Sequence, residues 1–193
     1  MKTIDCRVPD GISGHWKIET FEVSKEDASF SRIRAIMHPE EIIEPGTYKR
    51  LTHQGDVVMS NTPMEIATNR AIIRMATGRT LLNGLGLGMV PAAILPNPKL
   101  TELWIVEKSA DVIRLVGPTV TKDTRVRLIH SDAMTYRAPK GVRFNAVWHD
   151  IWNSFCSDNL PQMATLTRRY ARRSDWQGCW GYAQCLRAQR RWG

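Results

Sequence analysis

Hydrophobic and polar positions along this chain follow two rhythms, one in the first third and another in the rest. Between His15 and Val23 (HWKIETFEV) they alternate with the period of two that a half-buried strand requires. Thr47 to Thr52 and Asp56 to Ser60 read as two further short strands, and His53-Gln54-Gly55-Asp56 supplies the turn chemistry of a hairpin. The rest of residues 1 to 45 is weakly patterned, with Pro39-Glu40-Glu41 as the opening of a short turn of helix. Thr62-Pro63-Met64-Glu65 then offers a capping hydroxyl, a proline at the first helical position and a glutamate to close the box. A helix is expected from there to about Thr77, stopped by Gly78.

From residue 79 the rhythm changes to short apolar strands separated by helical stretches. The strands are Thr80 to Asn83, Leu103 to Glu107, Val126 to His130 and Asn145 to Asp150. Pro91 opens a helix after the first strand, and Ser109 to Val116 forms another that Gly117-Pro118 ends. Two longer helices are expected from about Ser157 to Arg173 and from Asp175 to Arg191. The second starts at Ser174-x-x-Gln177 and carries Trp176, Trp180 and Ala183 on one face. Alternating strands and helices imply an α/β fold whose parallel sheet is joined by right-handed crossovers. The expected sheet order is 3-2-1-4, with the C-terminal strands reduced. The chain divides into an N-terminal β-rich hairpin element, residues 1–61, and a ligand-binding α/β domain, residues 62–193.

The chemistry concentrates at the strand ends. Leu81-Leu82-Asn83-Gly84-Leu85-Gly86-Leu87-Gly88 sets glycines at alternate positions directly after a buried strand, where backbone must turn tightly and approach a ligand. A dinucleotide fingerprint needs a glycine at position 89, which is Met. Helix amides just beyond the loop can face a carboxylate. The next strand ends at Glu107, placed to accept hydrogen bonds from ribose hydroxyls. The third ends in Ser131-Asp132-Ala133, where a carboxylate can receive an adenine amino group, and the fourth in Trp148-His149-Asp150-Ile151-Trp152. Each acid alone could cap a helix. Together they stand where open α/β sheets bind ligands.

On these residues, 47 to 152 resemble the Rossmann-like S-adenosylmethionine (SAM)-binding fold of class I methyltransferases, in the version used by spermidine synthases. VEKSADVI (106 to 113) is similar to that family's V-E-I-D-x-x-V-I, and Leu82 stands where many methyltransferases carry an acid. The resemblance implies SAM as cofactor, a ribose-binding role for Glu107, an adenine contact at Asp132 and proton abstraction by Asp150. Gly84, Leu85, Gly86, Gly88, Glu107, Lys108, Asp132, Ala133 and Asp150 are the candidate cofactor-binding residues. Asp150 and His149 are the candidate catalytic ones, with His149 also readable as a packed core histidine. The family's loop aspartate is replaced by Leu87, its second D-x-x-D acid by Asn153, and its Tyr-His-Glu group by Ala67, Thr68 and Asn69. These losses argue against polyamine synthesis itself. A SAM-dependent methyltransferase of unknown acceptor is the leading function. An aminopropyltransferase relative with altered substrate, or a non-catalytic protein that binds SAM or nucleic acid, is the alternative.

Composition narrows the setting. The 193 residues are 42% apolar and 24% charged, a globular balance, and the longest nearly apolar run, Leu85 to Leu95, is half a membrane span. The segment MKTIDCRVPD lacks the apolar centre of a signal peptide, and four cysteines without a dense framework suit a reducing cytoplasm. Cys179-x5-Cys185 is too loosely spaced for structural zinc, so no metal is expected. The net charge is +8, and residues 151–193 carry seven Arg against Asp158 and Asp175. Such a basic C-terminal segment can attract nucleic acid by counterion release or serve as a solvated helix face. A homodimer is left open, and no membrane partner is expected.

Overall fold

A computed structural model describes residues 4–34 and 43–192, so the helical turn expected at Pro39-Glu40-Glu41 lies outside the described residues. The first third forms an antiparallel sheet of four strands in sequence order: β1 (Gly11–Ser13), β2 (Trp16–Val23), β3 (Gly46–His53) and β4 (Asp56–Ser60). Gln54 and Gly55 both take positive φ, the conformation that lets a two-residue turn follow the twist of β3 and β4. Helix α1 (Lys25–Arg34) follows β2. Ser24 and Asp27 cap it reciprocally: the Asp27 amide donates to Ser24 Oγ (3.1 Å) and the Ser24 amide to Asp27 Oδ2 (3.3 Å).

The helix expected over 62–77 is two short ones, α2 (Pro63–Thr68) and α3 (Arg70–Met75), broken at Asn69. The Asn69 side chain is fully buried. It donates to Glu65 O (3.1 Å) and accepts from Trp148 Nε1 (3.0 Å), offering the backbone a competitor to the helical ladder. Thr62 makes no side-chain cap; its hydroxyl pairs with Ser60 Oγ instead. Glu65 closes no box and is buried.

The second sheet holds β5 (Gly78–Asn83), β6 (Leu100–Glu107), β7 (Val126–His130), β8 (Phe144–His149) and β9 (Ser174–Cys179), all parallel, in the order β7-β6-β5-β8-β9. The expected 3-2-1-4 order is present and gains a fifth strand where a helix from Asp175 was expected. Trp176, Gly178 and Trp180 repeat with period two, and the Trp176 ring stacks on Trp148 (6.0 Å, 7°). A Cβ on Gly178 would lie 2.7 Å from the Trp148 ring, so glycine serves there as packing space. Burying indole against indole across the sheet outweighs the helical spacing.

Helix α4 (Met89–Ile94) begins two residues before Pro91, whose missing N–H falls in the first turn and costs nothing there. Helix α5 (Ala110–Val120) runs through Gly117-Pro118 rather than ending at it, because Val116 and Val120 continue its buried face. Helix α6 (Leu160–Tyr170) follows a 3-10 turn at Ser157–Asn159, and α7 (Tyr182–Trp192) follows β9. One cluster of buried side chains joins the two sheets, with Ile18 and Leu51 packing with Leu82, Leu103 and Ile105.

Two residues of the basic C-terminal run are structural. Arg169 donates to Ala133 O (2.6 Å), Met134 O (2.6 Å) and Tyr136 O (3.3 Å), and Arg173 to Ala138 O (2.8 Å). They hang the loop after β7 on α6 and on the turn that follows it, while Arg168 and Arg172 are exposed. Hydrogen bonds from a charged donor are worth about 1.5–3 kcal/mol, so Arg169→Ala should lower stability in urea by at least that amount. Arg168→Ala should stay within about 0.5 kcal/mol of wild type. Equal losses from the two changes would contradict the assignment.

Candidate functional site

The carboxyl ends of β5, β6, β7 and β8 open onto a cavity of about 590 Å³, within the range of small-molecule pockets. Its rear is set by Gly84, at φ +108°, whose amide donates to Val106 O (2.8 Å) as the chain leaves β5. A Cβ at this position would sit 2.0 Å from the Asp150 carbonyl oxygen, so only glycine lets the loop pass beneath β8. Gly86 reaches the cavity two residues on, and a Cβ there would lie 2.5 Å from Met59 Sδ. That sulfur, from β4 of the first sheet, also accepts the Leu87 amide (3.3 Å). Trp16, Leu51 and Val58 line the wall from the same sheet.

Glu107 ends β6 with its carboxylate in this wall. Oε2 accepts the Leu85 amide (2.9 Å) and Oε1 the Ser109 amide (2.7 Å). Each oxygen takes one backbone bond and keeps acceptor capacity for a hydroxyl. Asp132, beyond β7, accepts the Met134 amide (2.7 Å) and pairs with Lys108 Nζ (3.0 Å). The hydrogen bond from Lys108 leads the effects that hold Asp132 below its ordinary pKa and keep it ionised. Ala133 and Lys108 also line the cavity.

Not every sequence candidate comes to this wall. Leu85 contributes its backbone, spent on Glu107, while its side chain is core. Gly88 bonds back to Leu85 O (3.0 Å), and a Cβ there would meet Val116 at 2.9 Å. It serves the packing of α4 on α5, and its assignment to the ligand is corrected accordingly. His149 is corrected as well. Its ring is fully buried on the α6 side of the sheet, 5.5 Å from the Tyr170 ring, and lines no part of the cavity. Burial lowers its pKa to about 4, leaving it neutral at physiological pH.

Glu65, read in the sequence only as a helix-cap residue, is the acid that reasoning from spacing missed. It is 7% exposed, lines the cavity with Asp150, and its carboxylate has no hydrogen bond or ion pair among the described residues. Burial raises it from 4.5 to about 7. Burial also raises Asp150 well above 3.8, and the charge of Glu65 adds to that shift. The i, i+4 spacing of Glu65 and buried Asn69 was the available signal. Trp152 and Trp180 flank the acids, their indole nitrogens tied to Gln162 Oε1 (2.8 Å) and Thr68 Oγ1 (3.0 Å).

Among the described residues no three His, Cys, Asp or Glu are grouped to hold a metal ion, and no helix is long and apolar enough to cross a membrane. No family model matches the chain, and no curated protein matches it in sequence. Solved structures similar to parts of it include the N-methyltransferase NodS from Bradyrhizobium japonicum WM9 in complex with S-adenosyl-L-homocysteine (SAH). It is 13% identical over 58% of this chain and 57% of that one, with a TM-score of 0.46. The N-terminal domain of EvdMO1, solved with SAH and D-fucose, is 22% identical over 56% and 46% at 0.42. The (4+2)-cyclase SpnF is 19% identical over 45% and 34% at 0.37. This chain spans less than two thirds of each, and the likeness lends the site no chemistry of its own.

An acid whose pKa is raised on folding stabilises the fold fully below its unfolded value and loses that contribution as pH rises through the folded one. For Glu65 the window runs from 4.5 to about 7. The shift corresponds to roughly 3 kcal/mol. His149 acts in the opposite sense over an overlapping range, since a depressed imidazole adds stability as pH rises from about 4. The difference between Glu65→Gln and wild type cancels His149 and reads the glutamate together with the part of the Asp150 shift that its charge causes. Denaturant titrations should find the two proteins equally stable at pH 4.5 and the variant more stable by roughly 3 kcal/mol at pH 8. No gain at pH 8 would show that Glu65 is not desolvated.

Proposed function

We propose that this chain binds SAM and transfers its methyl group to an acceptor held between Asp150 and Glu65. The observation that carries the reading is the convergence of Glu107, Asp132 and Asp150 with Gly84 and Gly86 on one cavity. In this reading the Glu107 oxygens accept the two ribose hydroxyls and Asp132 accepts the adenine amino group. The backbone at Gly84 and Gly86 runs beside the methionyl chain. When bound, SAM supplies a methyl group on a cationic sulfur, displaced in line by the acceptor. Asp150 follows β8, beside the strand that carries the glycine loop, and so faces the reactive end rather than the adenine. It takes the proton that the acceptor loses, and desolvation, which raises its pKa, makes its carboxylate a stronger proton acceptor than an exposed one. Two desolvated acids without a cation among the described residues favour an acceptor that brings positive charge or a removable proton, so an amine fits better than a neutral carbon nucleophile. The same pair keeps an aminopropyl-transferring relative as the second reading. A purely ligand-binding role drew on a reduced sheet, and β9 with Trp180 after it supplies a wall on the acceptor side.

Calorimetry tests the cofactor. SAM and SAH should both bind, and loss of hydrogen bonds to a charged acceptor in Glu107→Ala, worth about 1.5–3 kcal/mol, should weaken them roughly ten- to hundredfold. Absence of heat and of any thermal shift at millimolar SAH would overturn the reading. Once an acceptor is found, Asp150→Asn should cut turnover by about a hundredfold or more while SAH affinity barely changes.

A further inference from the structure

Asn83 and His149 are the last residues of β5 and β8 and face each other in register. Both side chains are 0% exposed, on the sheet face away from the cavity. One rung earlier on that face the same two strands pair Leu81 with Val147, also fully buried, so an apolar pair fits this surface. The polar rung carries a penalty that the apolar one does not. Asn83 Oδ1 and the Tyr170 hydroxyl beside it are buried and meet each other in a contact short of a well-formed hydrogen bond. A polar pair kept where an apolar one would pack calls for a role other than stability.

Its connections supply that role. Gln177 on β9 commits its amide nitrogen to Thr167 O (3.0 Å) and so turns Oε1 toward His149 Nε2, 3.5 Å away. The ring proton therefore sits on Nε2, and Nδ1 is free to accept Asn83 Nδ2 at 2.7 Å. Asn83 O accepts the Asp150 amide (2.8 Å), and His149 O accepts the Trp180 amide (2.8 Å). The side-chain pair ties together two strand ends whose main-chain carbonyls each hold a cavity residue, and Asn83 directly precedes the tight passage of Gly84 under Asp150.

We infer that Asn83 and His149 form an uncharged polar clamp that positions Asp150 and the glycine loop, with His149 acting through its fixed tautomer and never as a proton carrier. The consequence for ligand binding rests on the proposed SAM site; the clamp itself does not.

Three measurements on the full chain test it. Wild-type ring ¹⁵N spectra should show His149 protonated at Nε2 only from pH 5 to 8; a charged ring or an Nδ1 proton overturns the clamp whatever any variant does. In Asn83→Leu/His149→Leu, the melting temperature should hold or rise. The carboxyl ¹³C titration midpoint of Asp150 should move by at least one pH unit and SAH affinity should fall at least tenfold. Glu65 is the other acid facing Asp150 and stays in place in every variant. His149→Gln, which can accept from Asn83 and donate to Gln177, should restore both readouts to within about threefold or a few tenths of a pH unit. An unchanged Asp150 titration in the double variant reduces the pair to packing. Failure of His149→Gln to retain the wild-type titration overturns the clamp, because the same hydrogen bonds would then not position Asp150. If the double variant does not fold, the ring spectra and His149→Gln still decide. If wild type binds no SAH, the SAM reading fails, while the Asp150 titration still judges the clamp.

Discussion

The approach of Gly84 to the Asp150 carbonyl is the constraint on which the site depends. β5 and β8 lie side by side, and the chain leaving β5 must cross directly under the backbone that leaves β8. A single methyl group there would stand 2.0 Å from an oxygen, a distance no relaxation of one side chain can relieve because both partners are backbone. With the passage open, Leu85 can turn its amide to Glu107 and Gly86 can reach Met59. One glycine thereby links three strand ends and brings the first sheet against the second.

Electrostatics then divides the cavity into two halves. On the β6–β7 side the acids are satisfied: Glu107 by backbone amides and Asp132 by Lys108 and an amide. Those groups are built and ready to accept hydroxyl or amino hydrogens. On the β8 side Glu65 and Asp150 face the same space with neither cation nor donor among the described residues, and desolvation pushes both toward their protonated forms. In the function proposed for this chain, the satisfied half recognises the ligand and the frustrated half handles protons or charge.

The first sheet and the C-terminal segment frame this division. β4 places Met59 in the glycine loop, and Arg169 holds Ala133 and Met134 at the opposite wall. Charge that looks in the sequence like a surface for a polyanion is partly spent on backbone carbonyls of the loop it supports. A guanidinium can satisfy several carbonyls at once, which explains why it serves where a loop leaves its acceptors unpaired.

The alternation of apolar runs, the glycines after Asn83 and the acids at positions 107, 132 and 150 were legible because strand ends and tight turns impose local rules on local residues. That much determined a parallel sheet, its central order and the glycines and strand-end acids of the cavity wall. Burial was not legible in the same way. Whether Glu65 caps a helix or enters a cavity depends on Asn69 breaking that helix, and Asn69 does so because Trp148, 79 residues away, donates to it. Trp176 and Gly178 joined a strand because Trp148 needed an indole partner and space beside it. His149 is adjacent to a cavity acid in the chain, yet the pleat turns it to the other face. Sequence spacing sets what a residue can do locally; which neighbours desolvate it is decided only when distant segments pack.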